Sequence, residues 1–337
     1  MTKTRDTDEN RSPGQEWART ERHCPRDDEL RRPGSPWPGS HAWTVGIDEA
    51  RPFIRRAYEA GITTFDTANN YSLGTSEKIT GTVLKELAPR EEVQIATKVW
   101  ARMRNSRNGA GLSRVAIMHE IDASLRRLQT DYVDVYQIHR FDPMTPIEET
   151  MEALHDVVKA GKARYIGAST MPAWQFALMQ HTAEMHGWTR FVSMQDHYNL
   201  LEREEEREMH PFCEATGVGV LPWSPLARGK VTRPWGESGS GPRAETDEFG
   251  KNLYKQDEAS NKEIVGTVAE IANARGVPMA QVALAWVLGK SAVTAPIVGA
   301  TRENHIDDAA AAVDLDLDED EVQRLEAAYS PRRASEV

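Results

Sequence analysis

Val133-Asp134-Val135-Tyr136-Gln137-Ile138-His139 is a short β-branched run, and the segment after it decides the fold. Thr145-Pro146-Ile147-Glu148 has the pattern of a capping box with proline at the first helical position. Ile147, Met151, Leu154 and Val158 then recur at helical spacing on one face, and Gly161 stops the helix. Tyr165-Ile166-Gly167-Ala168-Ser169 resumes the strand pattern. Strand, helix and strand in that order make a βαβ unit with parallel strands.

The same alternation continues on both sides. Further strands are expected over Thr63–Asp66, Val93–Lys98, Phe191–Gln195, Val218–Trp223 and Thr294–Val298. Val115, Met118, Ile121, Leu125 and Leu128 form a second apolar helix stripe. This is the pattern of an α/β protein built as a (β/α)8 barrel. Seven strands are legible where a closed barrel needs eight, and the missing one would precede Asp48. A chain of 337 residues holds one such barrel with extensions.

The chain divides into three segments. Residues 1–42 are an irregular leader crowded with Arg, Asp, Glu and Pro, expected to be disordered by composition. Residues 43–330 form the barrel and 331–337 a tail. Thr232–Asn261 is a long Gly-, Ser- and charge-rich insertion after the strand ending at Trp223; such loops usually cover the active face of a barrel.

Composition narrows the function. The formal charge of −11 argues against nucleic acid or an anionic membrane as the main partner, while allowing a local basic pocket. Two cysteines, Cys24 and Cys213, make no disulfide framework and fit a reducing compartment. Val282–Leu288 is too short to span a bilayer, and the start of the chain lacks an apolar signal core. The expectation is a cytoplasmic protein with a small-molecule substrate. His139, His155, His181 and His186 have no metal-ligand spacing, and no metal is expected.

Four polar residues sit at or just past strand ends: Asp66, Tyr71, Lys98 and His139. In a parallel barrel all strand C-termini face one rim, so the four converge there. Hydride transfer to a carbonyl builds negative charge on oxygen, which calls for a proton donor and positive neighbours. A phenol is a weak acid near neutral pH, and an adjacent ammonium favours the phenolate. Lys98 would supply that ammonium to Tyr71, Asp66 would hold it charged, and His139 would orient the carbonyl or help move the proton. Taken singly, each has a plainer reading: a turn aspartate, a half-buried tyrosine, a solvated lysine, a core histidine. The rim explains all four at once.

Gly61-Ile62-Thr63-Thr64-Phe65-Asp66-Thr67-Ala68-Asn69-Asn70-Tyr71 resembles the signature that ends in the catalytic Asp and Tyr of the aldo-keto reductases. Ala96-Thr97-Lys98 is similar to that family's lysine motif and Tyr136-Gln137-Ile138-His139 to its histidine motif. Gly167-Ala168-Ser169-Thr170, Gln195-Asp196-His197-Tyr198-Asn199-Leu200 and Trp223-Ser224-Pro225-Leu226-Ala227-Arg228-Gly229 come next in family order. The resemblance runs from about Trp43 to Tyr329 and is nearest to bacterial members of the aryl-alcohol-dehydrogenase and potassium-channel β-subunit-like branch. It implies an NADPH-dependent reductase of aldehydes and ketones, with Tyr71 as general acid. A channel-subunit role, binding NADPH with little turnover, is the second reading. Oligomeric state stays open.

No Gly-x-Gly-x-x-Gly precedes a helix, which excludes the usual dinucleotide fingerprint. The resemblance implies instead that Ser169 and Gln195 bind the nicotinamide carboxamide and that Trp223 stacks on the ring. It further implies that Ser224, Leu226, Gly229 and Lys230 line the pyrophosphate, with backbone amides forming an anion cradle. Ile297-Val298-Gly299-Ala300-Thr301-Arg302 opens a helix, whose N-terminus favours phosphate. Arg302 there would fork onto a 2′-phosphate and so select NADPH; its plainer reading is an exposed arginine. His305 and Asp308 stand where the family often has Gln and Glu, and Ala309 replaces a common Asn at the adenine contacts. Trp100 either walls the substrate pocket or packs the barrel.

The leader departs from the family, whose members begin with a hairpin and a first strand resembling Ala-Leu-Gly. Codons exist for residues 24–33 that, shifted one base forward, read Ala-Leu-Gly-Met-Met-Ser-Tyr-Gly-Asp-Pro. Residues 13–17 yield Leu-Gly-Arg-Ser-Gly under the same shift. The expectation is an out-of-frame translation of about residues 8–38; a natural disordered extension is the alternative.

Overall fold

The structure, a computed structural model, describes residues 45–237, 253–254, 257–300 and 302–332. The leader, Thr301, most of the insertion and residues 333–337 lie outside the described residues.

Helix α1 (Ile47–Glu59) leads into β1 (Thr64–Asp66), and α2 (Thr75–Leu87) into β2 (Gln94–Val99). Then come α3 (Arg114–Leu128), β3 (Val133–Ile138), α4 (Ile147–Lys159), β4 (Ala163–Ser169), α5 (Ala173–His186) and β5 (Phe191–Gln195). Helix α6 (Met209–Thr216) and β6 (Gly219–Val220) are next, followed among the described residues by α7 (Glu258–Arg275), α8 (Met279–Leu288), α9 (Glu303–Ala311) and α10 (Glu319–Ala327). The strands form one parallel sheet in the order β1-β2-β3-β4-β5-β6. Strict sequence order with alternating helices is the (β/α)8 pattern, and the chain has that fold class.

The seventh strand is weaker than expected. Residues 293–297 pair with the β6 region only through the bridges Val220↔Val293 and Trp223↔Ile297. Pro222 and Pro296 interrupt both partners, and a proline donates nothing to a ladder. Among the described residues no strand pairs with the other edge of β1.

Two local expectations are corrected. Thr145 does not cap α4: its hydroxyl donates to Asp142 Oδ2 at 2.8 Å, and Pro146 stands at the N-cap. The Asp142 carboxylate captures it because the same carboxylate also ties down the backbone amides of Leu112 and Met144. In α3 the buried face is Ile117, Ile121, Ser124 and Leu128, and Val115 is 58% exposed. The stripe is rotated because α2 crosses α3 tightly: a Cβ on Gly81 would lie 2.1 Å from the Leu128 carbonyl oxygen.

Helices α3 to α6 cover the sheet through Ile117, Ile121, Met151, Leu154, Phe176 and Cys213, packed on Ile95, Tyr136, Ile138, Ile166 and Met194. A second cluster joins α7, α8 and α10 around Trp286, Val265, Val268 and Leu325. Each fully buried side chain of this size contributes roughly 1.5–3 kcal/mol. These layers hold the strand ends, and thereby the rim, in place.

Candidate active site

The strand ends do bring Asp66, Tyr71, Lys98 and His139 together. Lys98 is wholly buried, and its three ammonium protons each have a partner. Nζ donates to Asp66 Oδ2 at 2.5 Å, to the Thr67 carbonyl at 2.9 Å and to Tyr71 Oη at 3.5 Å. Burial pulls the Lys98 pKa down, but the charge of Asp66 and then Tyr71 outweighs it, and the net shift is upward. The ammonium stays charged inside the barrel.

The loop from Asp66 to Tyr71 is pinned to β2. The Thr67 and Asn69 amides donate to the Ala96 and Lys98 carbonyls, and Asn69 Nδ2 reaches buried Glu120. Ser72 and Leu73, just beyond Tyr71, have φ of 48° and 52°. Two successive non-glycine residues in the left-handed region are a local strain held by these surroundings.

His139 meets Tyr71 edge to face with ring centroids 5.7 Å apart. Burial first, then the charges of Lys98 and Arg140, hold its pKa well below the usual histidine value. The imidazole is thereby held in its neutral form.

Asp66 has a second set of partners. Its Oδ1 accepts from Gln137 Nε2 at 3.0 Å and from Gln195 Nε2 at 2.9 Å. Gln195 therefore reaches the Asp66 carboxylate with its nitrogen. Ser169 lies opposite Gln195 in the β4–β5 register. Trp223 Nε1 donates to Thr170 Oγ1 at 3.0 Å, and one face of its indole stacks on His197 with centroids 4.1 Å apart and planes 9° apart. His197 is pinned by Tyr254 at 2.8 Å from within the insertion. Burial, reinforced by Arg228 and Arg140, lowers its pKa to about 3.

The turn from Ser224 to Lys230 is left-handed at Ser224, Ala227, Arg228 and Gly229. The amides of Ala227, Gly229 and Lys230 close turns onto Ser224, Leu226 and Ala227, so those three do not form the expected cradle. Positive side chains remain, Arg228 and Lys230, the latter 5.9 Å from the Tyr254 ring centre. Gly299 faces open space, where an added Cβ would meet nothing within 4 Å. Arg302 is exposed at the N-cap of α9, and His305 is half-buried one turn in. Asp308 is held by Gln281 Nε2 at 3.0 Å. Trp100 stands at the rim, 38% exposed. A half-buried indole backed by His197, with Arg228 and Lys230 in the turn that follows it, suits a nicotinamide dinucleotide.

Gln137, Arg140, His197, Arg228 and Tyr254 were not singled out from the sequence. Strand parity exposes the first: Gln137 is paired with Lys98 in the β2–β3 register and shares its side of the sheet. A polar residue two before His139 on a buried strand is the available signal.

Comparison with known proteins agrees with this geometry. The model described as "Aldo/keto reductase family" matches residues 34–330. An aldo-keto reductase of Fusarium vanettenii is 45% identical over 313 residues, covering 86% of this chain and 84% of that protein. Versiconal hemiacetal acetate reductase of Aspergillus parasiticus is 45% identical over 319 residues, 89% and 91% of the two chains. A putative aryl-alcohol dehydrogenase of Schizosaccharomyces pombe is 44% identical over 306 residues, 84% and 93%. These are fungal and yeast proteins, which corrects the expected likeness to bacterial members. No helix among the described residues is long and apolar enough to cross a membrane. A match over nearly the whole barrel, together with the six motifs in order, means that this chain belongs to the aldo/keto reductase family of oxidoreductases.

Proposed function

We propose that the chain reduces aldehydes or ketones to alcohols, reversibly, using NADPH, with Tyr71 as the general acid. The observation that carries this reading is the saturated ammonium of Lys98, which touches the Tyr71 hydroxyl while Asp66 fixes it from below. Reduced nicotinamide supplies the hydride when bound. Tyr71 gives the proton to the developing alkoxide, and the Lys98 charge favours the phenolate left behind. Neutral His139 donates a hydrogen bond to the carbonyl oxygen. Trp223, Ser169 and the carbonyl end of Gln195 hold the nicotinamide, its nitrogen being engaged by Asp66. Arg228, Lys230 and Arg302 face the phosphates, with Gly299, Thr301, His305 and Asp308 around the adenosine. Trp100 walls the substrate side. The reductase and aryl-alcohol dehydrogenase names of the relatives favour turnover over a channel-subunit role and make aromatic aldehydes the first substrates to try.

Loss of NADPH absorbance with an aromatic aldehyde is expected for the full chain, and Tyr71→Phe is expected to abolish it. Comparison of NADPH with NADH, in the chain and in Arg302→Leu, reads the 2′-phosphate contact. Tight NADPH binding without turnover on any aldehyde would move the reading to the non-catalytic subunit.

A further inference from the structure

Arg140 directly succeeds His139 at the end of β3 and is half-buried. Its one hydrogen bond among the described residues runs from Nη1 to the His139 carbonyl at 2.7 Å, and it enters no ion pair there. Other arginines withdrawn from solvent behave differently. Arg90 sits on Asp134 at 2.6 Å, Arg127 on Glu77, and Arg203 on Glu206 at 2.9 Å. A guanidinium is always charged, and burying it without a carboxylate is costly. Arg140 leaves β3 at the strand end that carries His139, whose amide donates to the Val99 carbonyl and whose ring lies 5.7 Å from that of Tyr71. Its charge helps to lower the pKa of both His139 and His197.

We propose that Arg140 is a specificity residue that receives an oxyanion of the substrate, so that the site takes carbonyl compounds carrying a carboxylate near the C=O. This rests on the reductase reading for the word substrate, but not for the binding. One of five N–H donors is engaged by the His139 carbonyl, and the guanidinium fork matches a carboxylate edge to edge. On a chain whose net charge is −11, a half-buried arginine with no ion pair among the described residues is a local excess of positive charge. A local cationic mouth on an acidic protein draws anions inward. Trp100, directly after β2, offers flat apolar surface, 38% exposed, so an aromatic ring bearing both groups suits the site.

The test has two arms, each on the full chain. In the first, benzoate and benzamide are titrated by calorimetry, with and without NADP+, into the unaltered protein, Arg140→Gln and Arg140→Lys. Benzoate is expected to bind the unaltered chain better than benzamide, to weaken at least tenfold in Arg140→Gln, and to recover in part in Arg140→Lys. In the second, kcat/KM is measured for the carboxybenzaldehyde isomers against benzaldehyde. The preference for the best carboxylated isomer is expected to fall at least tenfold in Arg140→Gln, mostly through KM. Equal losses on charged and neutral ligands would reduce Arg140 to a prop for the His139 carbonyl and overturn the proposal. So would an unaltered chain that does not distinguish benzoate from benzamide. Failure of every aldehyde to turn over would sink the reductase reading alone, since benzoate binding still decides the role of Arg140. Circular dichroism of both variants checks the fold, and Arg140→Lys serves if Arg140→Gln does not hold it.

Discussion

Thr97 and Lys98 are neighbours on β2, and the pleat sends them to opposite faces of the sheet. Outward, the Thr97 hydroxyl donates to Glu77 Oε1 at 2.6 Å, and Arg127 pairs with the other oxygen of that buried carboxylate. Inward, Lys98 pairs with Asp66 at 2.5 Å, while Gln137 and Gln195 hold the other oxygen. Both are buried ion pairs with each carboxylate oxygen engaged. They differ in what the cation touches next. Among the described residues the Arg127 side chain adds Ser124 of its own helix, whereas Lys98 adds a phenol at the barrel rim. The same electrostatic unit thus closes a helix–sheet contact on one face and, in the proposed mechanism, tunes an acid on the other. Access to the rim, rather than the chemistry of the pair, separates the two uses.

The sharpest way to break this comparison is to exchange the expected consequences. Lys98→Met is expected to lower kcat by about 10³-fold or more, roughly 4 kcal/mol, because Tyr71 loses the charge that stabilises its phenolate. Adding Asp66→Asn removes the orphaned carboxylate and is expected to restore melting temperature without restoring kcat. Arg127→Met should do the reverse. It strands Glu77 without a cation and is expected to cost about 3–5 kcal/mol of stability, read by urea unfolding, with kcat per folded molecule retained. A large loss of kcat with unchanged stability in Arg127→Met would mean that the outer pair is not merely structural. A smaller effect belongs to Gln137→Met, which removes one donor from Asp66 and loosens Gln195. About 1–2 kcal/mol is expected, appearing as weaker NADP+ binding more than as lower kcat. An unchanged dissociation constant for NADP+ would separate Gln137 from the cofactor.

The inward unit was largely readable in advance, and the outward one was not. Asp66, Tyr71, Lys98 and His139 share strand ends, and a parallel barrel gathers strand ends at one rim, so position along the chain implied proximity. Glu77 and Arg127 lie inside ordinary amphipathic helices, where a charged residue reads as solvated. Only the close crossing at Gly81 turns them inward against β2. Arg140 was hidden for a related reason: the sequence shows an arginine after a histidine, not whether a carboxylate stands opposite. Among strands, Thr294–Val298 looked like its fellows by side-chain type, yet prolines on both partners left the stretch 293–297 two bridges. Tyr254 came from an insertion without periodicity, so nothing local connected it to His197.

The aromatic side of the site extends the contrast, because its buried titratable groups are neutral rather than paired. His139 and His197 both have folded-state pKa values below the unfolded one of about 6.5, His197 at about 3. At neutral pH and above, neither group binds a proton in either state, and they contribute no pH dependence. As the pH falls below about 6.5, the unfolded chain takes up protons that the folded chain refuses, so stability falls, and it goes on falling toward about 3 for His197. Each such histidine adds a slope of at most about 1.4 kcal/mol per pH unit. Lys98 acts at the other end: its raised pKa gives stability that is present below the unfolded lysine value and is lost as the pH climbs past it. Urea unfolding at several pH values between about 5 and 8 should therefore show stability declining on the acid side. His197→Phe, which keeps a ring against Trp223, is expected to remove one histidine's share of that slope while lowering stability at every pH through the lost Tyr254 contact. A slope identical to that of the unaltered chain would show that His197 is already protonated in the fold, and the neutral platform behind Trp223 would have to be redrawn as a charged one.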